Sequence, residues 1–317
     1  MKSSLKRYAL ALSLTAAACA ASAQTFPDKP LRLVTPYPPG GGTSLHASII
    51  TAMAEPHFGQ PMISVIRAGG GGVVGAAEVL KGAADGYTLL FGDPTLNTLR
   101  PQVEKLPFQV NDFVPVARIN YSPVIFVTSA QAPFSDLAGM VAYAKANPGK
   151  LAYSSDNVNG LTYVAFAMLK MKTGTDMRGV ELGGGGPAIT QLLGGNTMAY
   201  AGLPVVVGDH IKSGKVKPLC VTDDVRLEAF PDVPTCREAG ADVIWRFWLG
   251  ALVPKGTPPE RVAALSDGFK KMTEDPGFQA LIGRIGSKID FLDHEQFATV
   301  LDEEAKSLKD LYAEMKQ

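Results

Sequence analysis

Three cysteines, two tryptophans and four histidines in 317 residues leave little material for metal or thiol chemistry. The histidines, His46, His57, His210 and His294, show none of the close spacings of a metal site. None adjoins a serine or cysteine motif that would make it a general base, and no Gly-x-Ser-x-Gly elbow occurs. The sequence therefore predicts no metal, no cofactor and no catalytic residue. Net charge is also missing: 30 Lys+Arg balance 30 Asp+Glu. That argues against a nucleic-acid partner, which needs a basic surface. Beyond the first two dozen residues no apolar run approaches the ~20 residues of a membrane span. The 33 glycines and 23 prolines follow no repeat, so they belong to loops.

What is present begins with an export signal. Lys2, Lys6 and Arg7 form a basic start, Tyr8 to Ala18 a short apolar run, and Ala21-Ser22-Ala23 a small-residue cleavage site. Residues 1–23 read as a signal peptide, the mature chain begins at Gln24, and the protein is expected to be exported. Cys19 raises a lipoprotein alternative, but Ala16 stands where a lipobox wants a branched apolar residue. Without the leader, 27 Lys+Arg face 30 Asp+Glu, a slightly acidic chain. Export leaves Cys220 and Cys236. Either they pair in an oxidising compartment, or they are unrelated thiols, one buried in the strand ending at Val221.

The mature chain is organised around Pro36-Tyr37-Pro38-Pro39-Gly40-Gly41-Gly42-Thr43-Ser44. An apolar strand, Leu31 to Thr35, enters it, and a helix with Leu45, Ile49 and Met53 leaves it. Prolines stiffen the approach, and the glycines let a ligand reach the backbone. Thr43 or Ser44 is placed to cap the helix. Amides at such a helix start suit an anion; the alternative is a capped turn without a ligand. Met62 to Ile66 leads into a second glycine-rich turn, Gly69 to Gly75, and Tyr87 to Gly92 into Asp93-Pro94-Thr95. Three parallel strands would open these loops on one edge, where α/β proteins bind ligands. Gly70-x-Gly72-x-x-Gly75 with Asp93 also matches the dinucleotide fingerprint. It follows the second strand rather than the first, and any five-glycine loop matches easily.

The plan repeats from about Ser129 to Arg246. Ser135 caps a helix from Asp136 to Asn147. Leu151 to Ser154 runs into a polar loop through Asp156 to Gly160, and Val180 to Leu182 into Gly183-Gly184-Gly185-Gly186-Pro187. The tail beyond Pro258 shows helical stripes without new strands, so it covers the first unit. The expected fold is α/β with two lobes, residues 24–128 plus 249–317 and residues 129–248, and a ligand cleft between them.

Several runs carry a resemblance. Phe26-Pro27-Asp28-Lys29-Pro30-Leu31-Arg32-Leu33-Val34-Thr35, continuing to Thr43, is one. Asp85-Gly86-Tyr87-Thr88-Leu89-Leu90, Asp112 to Val116, Tyr143 to Leu151, Phe230 to Thr235 with Glu238-Ala239-Gly240, and Pro254 to Pro258 are others. In this order they resemble the Bug (TctC-type) solute-binding receptors of tripartite tricarboxylate transporters. The resemblance implies a two-lobed periplasmic binding protein of type II-like architecture that closes on a small carboxylate. It also implies transient contact with the membrane subunits of a tripartite transporter, and a monomer. The implied ligand-binding residues are Tyr37, Pro39, Gly40, Gly41, Gly42, Thr43, Ser44, Gly70, Gly71, Gly72 and Thr95 in the first lobe. In the second they are Ser154, Asn157, Asn159, Gly160, Tyr163, Gly184, Gly185 and Pro204. The chain departs from the family pattern where Ser44 replaces Asp, Tyr163 replaces His, Ala68-Gly69 replaces Pro-Gly and Gly183-Gly184 replaces Lys-Gly. These losses point to a carboxylate with a flat or largely apolar body, such as an aromatic mono- or dicarboxylate; another small polar acid is the alternative. Rival functions are an exported hydrolase of carboxylic esters, with a triad assembled from distant residues, and a carboxylate sensor subunit for a signalling protein.

Overall fold

Two mixed sheets, each with helices against it, divide the chain in the computed structural model, which describes residues 26–315. The signal peptide, its cleavage site and Cys19 lie outside the described residues. In the first sheet β1 (Leu31–Thr35), β2 (Met62–Ile66) and β3 (Thr88–Gly92) run parallel, so their C-terminal loops share an edge. Strand β4 (Phe113–Pro123) lies beside β10 (Arg246–Pro254), which is antiparallel to both β4 and β3. The edge strand β11 (Lys288–Leu292) pairs with β4. The second sheet has the order β7 (Arg178–Glu181), β6 (Ala152–Ser155), β8 (Ala199–Gly202), β5 (Ile125–Ser129) and β9 (Val216–Val221).

The helices are α1 (Gly42–Met53), α2 (Glu55–Phe58), α3 (Val73–Lys81) and α4 (Arg100–Val103) on the first pass. α5 (Leu137–Ala146), α6 (Leu161–Thr173), α7 (Gly185–Leu193) and α8 (Pro204–Lys212) accompany the second sheet. α9 (Pro259–Glu274), α10 (Pro276–Arg284) and α11 (His294–Met315) close the chain. Of these, α9 and α11 pack on β4 of the first sheet.

Strand β5 already pairs in the second sheet, so the switch between sheets comes at Val124 rather than near 128. The return is complete by Arg246. The tail is not strandless. β11 is half-buried along its length, and its four-residue alternation is too short to stand out between two helical stripes. Helix α5 begins one residue later than expected, because the Asp136 side chain, not that of Ser135, accepts the Gly139 N–H at 2.7 Å. α1 turns Ala47 and Ile50 into the core, while Leu45, Ile49 and Met53 are half-buried beside it. Spacing reveals a helical face, but both sides of this helix are covered, which the sequence does not show.

Cys220, at the end of β9, and Cys236 are both fully buried and form a disulfide. Pairing of Val221 with Thr235 brings the two segments together. A loop of 16 residues corresponds to about 3 kcal/mol in the chain-entropy model. The Cys220→Ala/Cys236→Ala double variant is expected to lose about that much in a denaturant titration. Denatured, unreduced mature protein should show no free thiol.

His46 of α1 is fully buried. Its Nδ1 lies 2.8 Å from the Gly42 carbonyl and its Nε2 2.8 Å from Ser287 Oγ, which donates in turn to Ser122 Oγ at 3.0 Å. Burial disfavours the charged ring and lowers its pKa from 6.5 to about 4, against the Gly42 bond that favours it. The unfolded chain takes up this proton near pH 6.5 and the folded chain only near pH 4, so this group's stabilisation is present above pH 6.5 and lost as pH falls toward 4. Glu304 acts in the opposite sense. Burial raises its carboxyl from 4.5 to about 7, so its contribution is present below pH 4.5 and lost as pH rises through 7. His46→Gln should therefore remove about 2 kcal/mol of the stability change between pH 7 and pH 5, leaving the Glu304 part in place. Chemical denaturation of both proteins at the two pH values measures the difference.

Candidate functional site

The loops after β1, β6 and β7 meet between the sheets and enclose a small cavity of ≈ 40 Å³. Tyr37, Gly41, Gly42 and Thr43 line it from the first sheet. Asp156, Leu161, Thr162, Gly184, Gly185, Tyr200, Leu203 and Val206 line it from the second, and Phe247 from the returning β10. In this conformation the two sides are drawn together, leaving room for a group the size of a carboxylate or a few waters. Glycines make the approach possible. A Cβ on Gly186 would fall 2.7 Å from the Pro39 carbonyl oxygen, and one on Gly184 2.5 Å from Pro38 Cγ.

Four helices begin at this cavity, the fourth being α8, which follows Leu203 and opens with Pro204, a residue without an N–H. α1 has Gly41 as its N-cap and α7 has Gly184, and neither cap residue offers a side chain to the first-turn amides. The expected cap by Thr43 or Ser44 is not made. Both lie inside α1, and Ser44 Oγ donates back to the Gly41 carbonyl at 2.9 Å. Helix starts of this kind present N–H groups with partial positive charge. α6 differs: the Asp156 carboxylate accepts from Leu161 N at 2.9 Å and Thr162 N at 3.1 Å. Burial raises the Asp156 carboxyl to about 6, with those backbone bonds pulling the other way.

Behind the first wall the Tyr37 hydroxyl donates to Asp93 Oδ2 at 2.6 Å. Asp93 Oδ1 accepts from Thr95 N, Thr95 Oγ1 and Leu96 N at 2.9, 2.6 and 3.0 Å. Burial raises the Asp93 carboxyl and these bonds offset part of the rise. Burial and the neighbouring Asp93 push the Tyr37 hydroxyl up as well, so it is a neutral donor. A π-turn, Thr95–Leu99, carries this loop, and Glu304 of α11 holds it by accepting from Thr98 Oγ1 at 3.1 Å while also accepting from Trp248 Nε1 of β10 at 2.7 Å.

Beside the cavity, Arg100 is almost buried and organises the second glycine loop. Its guanidinium is bidentate to Glu104 at 2.9 Å on each arm and donates to the carbonyls of Gly70 and Gly71 at 3.2 and 2.5 Å. Both glycines have positive φ. Burial works against charge on Glu104, but the bonds from Arg100 and Asn159 outweigh it and hold the carboxyl below its usual range. The Asn159 bond, 2.8 Å from Nδ2 to Glu104 Oε1, crosses from the second sheet's loop to the first.

The residues singled out from sequence thus separate into groups. Tyr37, Gly41, Gly42, Thr43, Gly184 and Gly185 meet in the cavity wall. Pro39 and Gly40 border an outer groove with Gly186 and Pro187. Ser44 is turned back on Gly41 and Thr95 is committed to Asp93. Gly70, Gly71 and Gly72 form a 3-10 turn under Arg100, and Asn157 lies against Gly71. Asn159 bridges to Glu104, and Gly160 leaves the space that Asp156 fills. Ser154 bonds to Thr197 at 2.6 Å within its own lobe. Tyr163 packs half-buried against the core, and Pro204 opens α8 against Gly286. The dinucleotide pattern has a packing cause. A Cβ on Gly75 would stand 2.9 Å from the Arg67 carbonyl oxygen, and Arg100 occupies the Gly70 and Gly71 carbonyls. Asp156, Leu161, Thr162, Tyr200, Leu203, Val206 and Phe247 were not foreseen. Asp156 alone carried a signal, as an acid shortly before a helix start. Among the described residues no group of His, Cys, Asp or Glu could hold a metal ion, and no helix is long and apolar enough to cross a membrane.

Comparison with known proteins supplies the context. Residues 47–316 match the family model described as the tripartite tricarboxylate transporter family receptor, TctC. Protein BugT of Bordetella pertussis is 32% identical over 250 residues, covering 77% of this chain and 76% of BugT. A solved structure of a periplasmic transporter superposes with a TM-score of 0.87 at 29% identity, covering 91% of this chain and 98% of the other. MatC from Rhodopseudomonas palustris, solved with bound malate, gives 0.84 at 27% identity, covering 90% and 99%. A two-sheet architecture with glycine loops facing each other across a cavity, and a family match over most of the length, identify the chain as a member of the TctC family of solute-binding receptors, not an enzyme.

Proposed function

We propose that this protein captures a small carboxylate in the periplasm and delivers it to the membrane subunits of a tripartite tricarboxylate-type transporter, with the two sheets as the closing lobes. The observation that carries the reading is the pair of uncapped helix starts, α1 and α7, facing each other at the cavity. Amides at two such ends can share one carboxylate, and charge-assisted bonds of this kind are roughly twice as strong as neutral ones. Malate bound to MatC, a related structure, supports the ligand class. Leu161, Leu203, Val206 and Phe247 form an apolar side to the same cavity, which favours a ligand with an apolar or aromatic body. Lobes that part on opening would admit a body larger than the present cavity. The test is mass spectrometry of the small molecule released from purified protein, followed by calorimetry with that compound. A carboxylic acid bound without turnover supports the reading; turnover of a carboxylic ester, or release of a non-acid only, refutes it.

A further inference from the structure

The cavity carries one formal charge, and it is negative. Among its lining residues Asp156 is ionisable as an acid, and no lysine, arginine or histidine joins it. The Asp156 carboxylate is built into the start of α6. Its Oδ2 accepts from Leu161 N at 2.9 Å and its Oδ1 from Thr162 N at 3.1 Å. Gly160 makes the space, since a Cβ there would fall 2.6 Å from Asp156 Oδ2. The charge reaches both tyrosines of the cavity, opposing ionisation of Tyr37 and of Tyr200. So of four helix starts at the cavity, α1 and α7 are uncapped, α6 already holds an anion, and α8 begins with Pro204, which has no N–H, and returns its Val206 N–H to the Leu203 carbonyl at 2.9 Å.

We infer that Asp156 is a specificity-determining residue that restricts the ligand to monocarboxylates, by occupying the helix start a second carboxylate would use. This rests on the carboxylate-receptor reading above. A dicarboxylate bound through α1 and α7 would have to set its far charge against Asp156 or against Leu203, Val206 and Phe247. Both placements leave a desolvated anion without a counter-charge. A neutral or apolar far end meets no such penalty. Burial holds the Asp156 carboxyl at about 6, so it is mostly ionised at pH 7.5.

The test is a calorimetric comparison of matched acids at pH 7.5: hexanoate with adipate, and benzoate with terephthalate. Native protein should bind the monocarboxylate of a pair at least tenfold more tightly. Asp156→Asn and, independently, Asp156→Ser should narrow that ratio at least tenfold, chiefly by tightening the dicarboxylate. Asparagine keeps an acceptor oxygen at the same reach without the charge, serine removes the charge with a smaller group, and a thermal melt confirms that each variant is folded. Native protein binding the dicarboxylate as tightly as its partner would overturn the inference while leaving the receptor reading intact. So would an unchanged ratio in a folded variant. Binding of no carboxylic acid, including the compound released from the purified protein, would overturn both.

Discussion

Gly186→Leu is expected to weaken carboxylate binding by more than 100-fold while leaving the protein folded. Gly186 is the second residue of α7, where any residue fits the helical backbone. Alanine there is intrinsically better than glycine by up to about 1 kcal/mol. The obstacle lies across the cleft. A Cβ would stand 2.7 Å from the Pro39 carbonyl oxygen and 3.3 Å from Gly40 C. These are backbone atoms of a proline-stiffened loop, which cannot swing aside as a side chain can. The larger the added side chain, the further apart the lobes must stay, and the fewer amides of α1 and α7 can reach one carboxylate together. Gly186→Ala should show the graded version: a melting temperature equal to or above native, with binding weakened about tenfold, in line with overpacking costs of 1–3 kcal/mol. Native affinity in the leucine variant would mean that the lobes do not need this contact to hold a ligand.

Arg100→Met is expected to cost about 1.5–3 kcal/mol of folding stability, because it strips the charged donor from a half-buried carboxylate. The arginine also holds the carbonyls of Gly70 and Gly71 in a turn of left-handed glycines, which loses its anchor with the guanidinium. Lysine should recover little, since one ammonium cannot serve Glu104 bidentately and two carbonyls together. Asn159→Gly is the informative companion. Asn159 has φ +56°, which glycine adopts without strain, and its amide makes the bridge to Glu104. Its loss should leave stability near native and weaken ligand binding by roughly ten- to a hundredfold, the worth of a hydrogen bond to a charged group. Equilibrium denaturation separates the two variants, and a native-like midpoint for Arg100→Met would contradict the buried-pair argument.

The loops were legible because their chemistry is local. Proline and glycine at Pro36 to Gly42 and at Gly183 to Pro187 dictate turns whatever surrounds them, and the strand before the first, Leu31–Thr35, is mostly apolar and buried. The wall opposite was not legible. Tyr200, Leu203 and Val206 reach the cavity because β8 lies between β6 and β5, an order no single strand encodes. Phe247 reaches it because the chain re-enters the first sheet at Arg246. Asp156 sat among polar loop residues, and its role depends on Gly160 making room for it. The disulfide was legible as parity, and the pairing of Val221 with Thr235 decided it. Arg100 showed only an acid four residues on, Glu104, since its other partners are backbone carbonyls some 30 residues earlier.

The claim that backbone amides of two helix starts grip a carboxylate is tested most directly by calorimetry of an acid against its neutral isostere. For the compound released from the purified protein and its primary amide, the account predicts binding of the acid and at least a 100-fold loss for the amide. Gly186→Leu should bind neither. Equal affinity for acid and amide would contradict it.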